Sequence, residues 1–354
     1  DGFYERYSAM LPYLNHRFDL DYMFGEIIAE TNTGHAYVDY GDFERVDRVD
    51  TGLLGAELEA DHISGRYRIT KIFEGENWND GLRSPLTKQG LDIREGDFLI
   101  SIEGNDINTN MNPYKYLEGR VDIATRIVVN SRPDTRGART FTIHPIRSEV
   151  DLRHLDWVKT NRAMVDELSG GRIGYIYVPN TSFDGNRELF RGMYAYHDKE
   201  ALIIDERFNG GGFIPDRMIE ILSRETHAKW YRAGLDYPMR TPGVAHDGHK
   251  VMLINQFSSS GGDALPYFFR QKNLGTIIGT RTWGGLVGMT GNARLMDGGY
   301  IGVPRFGIYN EEGDWIIEGV GVYPDIEVVD TPHRLARGED PSIQAAVELL
   351  LQKL

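Results

Sequence analysis

A chain of 354 residues, 40% of them hydrophobic, is long enough for two or three domains and has the apolar material to give each a core. Its formal net charge of −14, with 53 acidic residues against 39 Lys and Arg, argues against a nucleic-acid partner. The absence of cysteine excludes disulfides, thiolate metal sites and a thiol nucleophile, and no apolar run reaches the ~20 residues that span a bilayer.

The chain opens at Asp1, without Met and within a helical pattern, so the expectation is that it was cut from something longer. Its compartment therefore stays open: cytoplasmic, or periplasmic or extracellular if a signal segment preceded Asp1. Residues 1–48 read as a helical subdomain. "YSAMLPYL" and "DLDYMFGEIIAE" place apolar residues at three- and four-residue spacing, with Asp19 or Asp21 as the cap of the second helix. That helix stops near "TNTGHAYV".

Residues 49–147 change texture to short strands punctuated by Gly, Asp and Asn: "TGLLGAELEA", "YRITKIF", "DFLISIEG", "RIVVNSR" and "RTFTIHPI". The stretch "SPLTKQGLDIREGDFLISIEGNDI" predicts a small helix, a Gly-Asp turn, an apolar strand and a turn into a second strand. It resembles a PDZ domain, most recognisably in "REGDFLISIEG". That resemblance implies strand addition, in which loop N–H groups take a peptide's terminal carboxylate and the strand edge pairs with the peptide. Gly52, Leu53, Leu54 and Gly55 would form the receiving loop. The alternative is a β-rich spacer that binds nothing.

Residues 148–354 predict a strand and a helix ending at Gly170 and Gly171, then alternating elements. "RIGYIYVP", "ALIIDERF" and "KVMLINQF" are buried-strand runs; "RELFRGMYAYH", "PDRMIEILSR" and "GGDALPYFFRQ" are helical. Such alternation gives a layered α/β domain with a mostly parallel sheet, closed by the capped helix "DPSIQAAVELLLQKL".

Two loops of this domain carry candidate chemistry. "NQFSSSGGDALPYFFR" sets Ser258, Ser259 and Ser260 between a strand and a helix, where a hydroxyl gains from the helix dipole and free N–H groups. Composition does not choose among the three. "IIDERFNGGGF" follows another strand with three glycines, whose exposed N–H groups suit an oxyanion or a phosphate. It lacks the Gly-Lys-Ser/Thr ending of a nucleotide loop. "HDGH", His246 to His249, looks like a metal pair but is read as a solvated polar turn; no metal and no cofactor is expected.

Together the loops resemble those of the tail-specific, carboxyl-terminal-processing peptidases, with "Asp-x-Arg-x-Asn-x-Gly-Gly" at Asp205, Arg207, Asn209, Gly211 and Gly212. The second motif, "Asn-x-x-Ser-x-Ser-x-x-(Glu/Asp)", falls on Asn255, Ser258, Ser260 and Asp263. The resemblance makes Ser260 the nucleophile and the N–H groups of Gly261 and of Gly211 or Gly212 the oxyanion donors. Many such enzymes use a lysine base in "Phe-Gly-Lys-Gly"; here the stretch reads "TRTWGGLVG", without lysine, and a serine still needs a base. "AETNTGHAYVDYGD" and "EGVGVYPD" are similar to tricorn-type members, which implies His35 as the base and Glu318 as its distant partner. In that type a serine precedes the histidine, and here Gly34 stands in its place. The resemblance covers nearly the whole chain and implies a ClpP/crotonase-like catalytic domain, peptide or unfolded-protein substrates and a homo-oligomer. The alternatives are a degenerate peptide-binding scaffold, favoured by Gly34 and the missing lysine, and an acyl hydrolase acting on esters.

Overall fold

A computed structural model describes every residue except Asp1, Tyr40, Arg45, Leu235, Tyr237 and Thr290. The chain divides into two compact units, Asp1–Glu44 with Asn161–Leu354, and Arg45–Thr160. Among the described residues no helix is long and apolar enough to cross a membrane.

The N-terminal arm carries α1 (Gly2–Ser8) and α2 (Arg17–Ala29). The cap of α2 is His16, not an aspartate: its Nδ1 accepts the Asp19 N–H at 3.4 Å. Asp19 answers from the first turn, accepting the N–H of Asn15 at 2.8 Å, a capping-box arrangement. The arm then extends into β1 (Tyr37–Asp39), which pairs antiparallel with Tyr300–Gly302 of the same unit, Val38 opposite Ile301.

In the unit Arg45–Thr160, β2 (Ala56–Asp61), β3 (Arg66–Ile72), β4 (Phe98–Ile102), β6 (Thr125–Asn130) and β7 (Arg139–Ile143) lie in that order in one antiparallel sheet. The two-residue β5 (Asn105–Asp106) pairs onto β4. Inward residues of alternate positions, among them Ile69, Leu99, Ile102, Ile127, Val129 and Ile143, form its core. The small helix expected after Ser84 is not formed. Pro85 and Gly90, the latter at φ +91°, leave turns there, and short helical turns stand instead at Asp80–Leu82 and Pro113–Leu117. Among the described residues the expected strand leading directly into α3 (Val150–Ser169) is not formed; an isolated bridge between Leu53 and Ile146 stands just before it.

The larger unit is built on five parallel strands: β8 (Ile173–Tyr177), β9 (Ala201–Asp205), β12 (His249–Ile254), β13 (Thr276–Gly279) and β17 (Ile326–Glu327), ordered β17-β13-β12-β9-β8. β8 and β9 are buried throughout, as strands covered on both faces must be. Besides α1, α2 and the end of α3, its helices include α4 (Phe183–Ala195), α5 (Pro215–Leu222), α6 (Gly261–Gln271), α7 (Pro332–Leu335) and α8 (Pro341–Leu351). Ile204, Met218, Met252, Leu265, Phe269 and Ile277 share one core. Smaller pairs complete the unit: β10 (Ala228–Trp230) with β11 (Met239–Thr241), β14 (Gly288–Met289) with β16 (Pro304–Phe306), and β1 with β15 (Tyr300–Gly302). Adjacent strands β9 and β12 run parallel in register, Leu253 opposite Asp205, so the two loops singled out by sequence leave the sheet side by side.

Candidate active site

The loop after β9 is fixed by buried charge. Arg207 is held by Asp205, by Asp330 at 2.8 Å and by both oxygens of Asp340 at 3.0 Å, the last of these at the start of α8. Tyr175 donates to Asp205 at 2.8 Å and accepts from Asn161 at 3.2 Å. A charge so enclosed is tolerable only because each donor has a carboxylate partner. Asn209 then shapes the glycines: its Nδ2 donates to Val178 O at 3.1 Å, and its Oδ1 accepts the Gly211 N–H at 2.8 Å.

The serine corner is laced to that loop. Asn255 accepts the N–H of Phe208 and of Phe257 at 3.0 and 3.1 Å, one side chain bracing both segments. Ser258 spends its hydroxyl on Glu206 O at 3.0 Å, and the Ser259 N–H meets Asn209 O at 2.9 Å. Ser260 begins α6 with φ 56° and ψ −113°, a conformation that costs a non-glycine residue free energy. Asp263 in the first turn of α6 accepts the Ser260 N–H at 2.8 Å and the Gly284 N–H at 2.7 Å. Of the three serines, Ser260 alone stands at positive φ.

The glycines meet Ser260 at close quarters. A Cβ at Gly211 would lie 2.7 Å from the Ser260 Cβ and 3.0 Å from the Gly261 N. A Cβ at Gly261 would lie 2.0 Å from the Thr181 hydroxyl and 2.9 Å from the Gly212 N. The backbones of Gly211, Gly212, Ser260 and Gly261 therefore touch, and no side chain fits between them. Gly211 gives its N–H to Asn209, whereas those of Gly212 and Gly261 have no acceptor among the described residues. Thr181, absent from the sequence reading, is buried against Gly261, with its hydroxyl lacking a partner among the described residues. No spacing rule would have found it.

His35 is half-buried and fastened to the segment after β13. Its Nδ1 donates to Val287 O at 3.0 Å, which leaves Nε2 as the unprotonated nitrogen. Its ring meets Trp283 edge-on at 5.3 Å and Tyr37 at 5.6 Å. The same segment is tied to the serine corner, by Trp283 N–H to Ser258 O at 3.0 Å and by Gly284 to Asp263. Gly34 packs there too: a Cβ on it would stand 3.2 Å from the Gly285 Cα. Glu318 is exposed on a neighbouring loop, which Gly319 N–H fastens to Gly284 O at 2.7 Å. No hydrogen bond joins its carboxylate to His35 among the described residues.

Beneath the corner Glu206 is fully buried, both carboxylate oxygens without a partner among the described residues. Burial, then the charges of Asp263 and Asp205, hold its pKa well above the usual carboxylate range. Nothing in the sequence marked it beyond its place directly after a buried strand. His246 is buried rather than solvated, its Nε2 on Lys199 O at 2.9 Å, and among the described residues no cluster of His, Asp and Glu could hold a metal. In the smaller unit the N–H groups of Gly52 and Leu53 go to Leu117 O and Ile146 O at 2.8 and 2.7 Å. That of Gly55 goes to Glu149 at 2.8 Å.

Comparison with known proteins agrees with this architecture. Residues 52–148 match the family model described as Tricorn protease PDZ domain, and residues 172–328 match Peptidase family S41. The Tricorn protease homolog of Saccharolobus solfataricus is 33% identical over 100% of this chain and 32% of its own length. The Tricorn protease of Thermoplasma acidophilum is 32% identical over 99% of this chain, again 32% of its own length. The crystal structure of the tricorn protease superposes with a TM-score of 0.91 at 30% identity, covering 99% of this chain and 34% of that one. The chain thus spans about a third of the length of the curated relatives it matches. With its PDZ-like unit, its layered sheet and both of its motif loops inside the matched spans, the chain carries a tricorn-type PDZ domain at residues 52–148 and a peptidase family S41 domain at residues 172–328.

Proposed function

We propose that the chain is a serine peptidase that cleaves peptides through an acyl-enzyme, with Ser260 as nucleophile and His35 as its base. The observation that carries this reading is the serine corner: Ser260 at positive φ, packed on Gly211, beside two N–H groups, of Gly212 and Gly261, that have no acceptor among the described residues. A left-handed serine at the mouth of a helix turns its side chain away from the helix and toward an incoming carbonyl.

His35 Nε2 takes the Ser260 proton as Oγ attacks the carbonyl carbon. The tetrahedral oxyanion accepts from Gly212 and Gly261; Gly211 shapes the loop, since its own N–H is engaged by Asn209. His35 then gives the proton to the leaving nitrogen as the C–N bond breaks. A water, deprotonated by His35 in its turn, releases the acyl group. The Val287 carbonyl supplies the orientation that the absent hydroxyl at Gly34 would otherwise relay, so Glu318 acts on the site through its field and its loop.

The substrates are peptides and unfolded segments, and the working form is a homo-oligomer. Phe183, Phe208, Phe213 and Phe257 stand exposed on or beside the two loops, Phe208 stacked on Phe257 at 5.4 Å. Apolar surface of that kind on so acidic a chain suits a second copy. Light scattering of the purified chain measures the assembly. The catalytic assignment is tested by mass spectrometry after a fluorophosphonate: one adduct on Ser260 is expected, abolished in Ser260→Ala. An adduct that persists in that variant removes Ser260 from the mechanism.

A further inference from the structure

The loop that would receive a peptide terminus already holds a carboxylate of the chain itself. Oε1 of Glu149 accepts the Gly55 N–H at 2.8 Å and the Ala56 N–H at 3.3 Å. Oε2 accepts Nε and Nη2 of Arg153 at 3.1 and 2.9 Å. Glu149 is only 7% exposed, and Leu152 is buried beside the same loop, its Cδ1 placed 3.4 Å from where a Cβ on Gly55 would stand. The segment 149–153 thus delivers both things a chain terminus would bring, a carboxylate for the amides and an apolar side chain for the pocket beside them.

Its surroundings close over it. Arg153 Nη1 reaches Glu57 of the edge strand β2 at 3.0 Å, and its guanidinium lies 4.3 Å from the Phe73 ring centroid. Among the described residues β2 pairs only with β3, so it is the edge along which a peptide would add. From Pro113–Leu117, Tyr114 feels the same carboxylate: burial, and then the Glu149 charge, raise its phenol. Of the other loop amides, Gly52 and Leu53 are bonded to Leu117 O and Ile146 O.

We propose that Glu149 is a built-in ligand of the PDZ-like unit, which shuts its carboxylate seat to the C-termini of other peptides. An incoming carboxylate would have to displace a buried one that holds two N–H groups and a paired guanidinium. It would also compete with a tethered group whose effective concentration is of millimolar order or more. Substrates are then selected by other surfaces. This inference does not depend on the catalytic reading, since a peptidase and a binding scaffold would equally carry a filled seat.

The test is fluorescence anisotropy on the intact chain, using a labelled peptide with an apolar C-terminal residue as the free acid and as the amide. Wild type is expected to treat the two alike, and Glu149→Ala to prefer the acid by about tenfold or more. Glu149→Gln, whose amide oxygen can still accept from Gly55, is expected to stay like wild type. A wild-type preference for the acid, or a folded Glu149→Ala without one, overturns the proposal. Should Glu149→Ala fail to fold, the amide resonances of Gly55 and Ala56 in the wild-type chain decide. Shifts with the acid and not the amide refute the inference, and unmoved resonances uphold it.

Discussion

Asp263 holds Ser260 by its main chain, Oδ2 accepting the Ser260 N–H at 2.8 Å. Its other oxygen accepts the Gly284 N–H at 2.7 Å, so one carboxylate joins the serine corner to the segment on which His35 rests. Asp263→Asn keeps the shape but can offer only one acceptor oxygen to two N–H donors. Losing one charge-assisted bond costs about 1.5–3 kcal/mol, which corresponds to roughly a tenfold to hundredfold slower acylation if the loss falls on the catalytic geometry. The rate of fluorophosphonate labelling measures it, and an unchanged rate in a folded variant would separate Asp263 from the positioning of Ser260.

Ser260 carries backbone strain that glycine would not. At φ 56° and ψ −113° a Cβ is disfavoured, with a cost of order 1–3 kcal/mol for such conformations. Both Ser260→Ala and Ser260→Gly should be inactive, but only Ser260→Gly should unfold at a higher temperature than wild type. The gain is reduced by the extra freedom of glycine in the unfolded chain, so about 1 kcal/mol is expected. Differential scanning calorimetry of the pair checks it, with Ser260→Ala as the control that lacks the hydroxyl and keeps the Cβ.

The sequence made the catalytic sheet readable because its strands are unbroken apolar runs, and the two loops stood out because three glycines and three serines end such runs. Resemblance singled out Ser260 from Ser258 and Ser259; their different bonding emerges only where the chain folds back, with Ser258 on Glu206 O and Ser259 on Asn209 O. Long-range partners were invisible. Arg207 meets Asp330 and Asp340 from 123 and 133 positions away, and Glu149 reaches Gly55 from 94. Local propensity misled in smaller ways: the run after Ser84 looked helical, yet Pro85 and Gly90 hold it in turns. His246 looked solvated because its neighbours are polar, but it lies beneath the chain at Lys199.

Glu206 sets one limb of the pH dependence. Its folded pKa is raised above the ordinary 4.5, so the folded state binds the extra proton and is favoured at low pH. That contribution is complete below about pH 4.5 and is lost as pH rises through the folded pKa. Glu206→Gln keeps a neutral, similarly shaped group, so its stability should gain on wild type as pH rises above that range. Chemical denaturation of both proteins at pH 5 and pH 8 provides the comparison. Parallel curves, with no widening toward high pH, would mean that the buried carboxyl is not held protonated.

His246 gives the opposite limb. Burial, and next the positive charge of Lys250, depress its pKa from 6.5 to about 4. Its Nε2 donates to Lys199 O at 2.9 Å, and its Nδ1 is buried with no partner among the described residues, so a second proton has no acceptor to meet. Lys250 is itself held close by, its ammonium on His246 O at 2.7 Å and on Gly248 O at 3.2 Å. A depressed folded pKa means stability that is present above pH 6.5 and is lost as pH falls toward about 4. At about 1.4 kcal/mol for each unit, the full loss is of order 3 kcal/mol. His246→Gln, which keeps a donor for Lys199 O and cannot take up the proton, should flatten the fall in stability between pH 7 and pH 4. Denaturation midpoints that drop equally in both proteins over that range would place the acid sensitivity elsewhere in the chain.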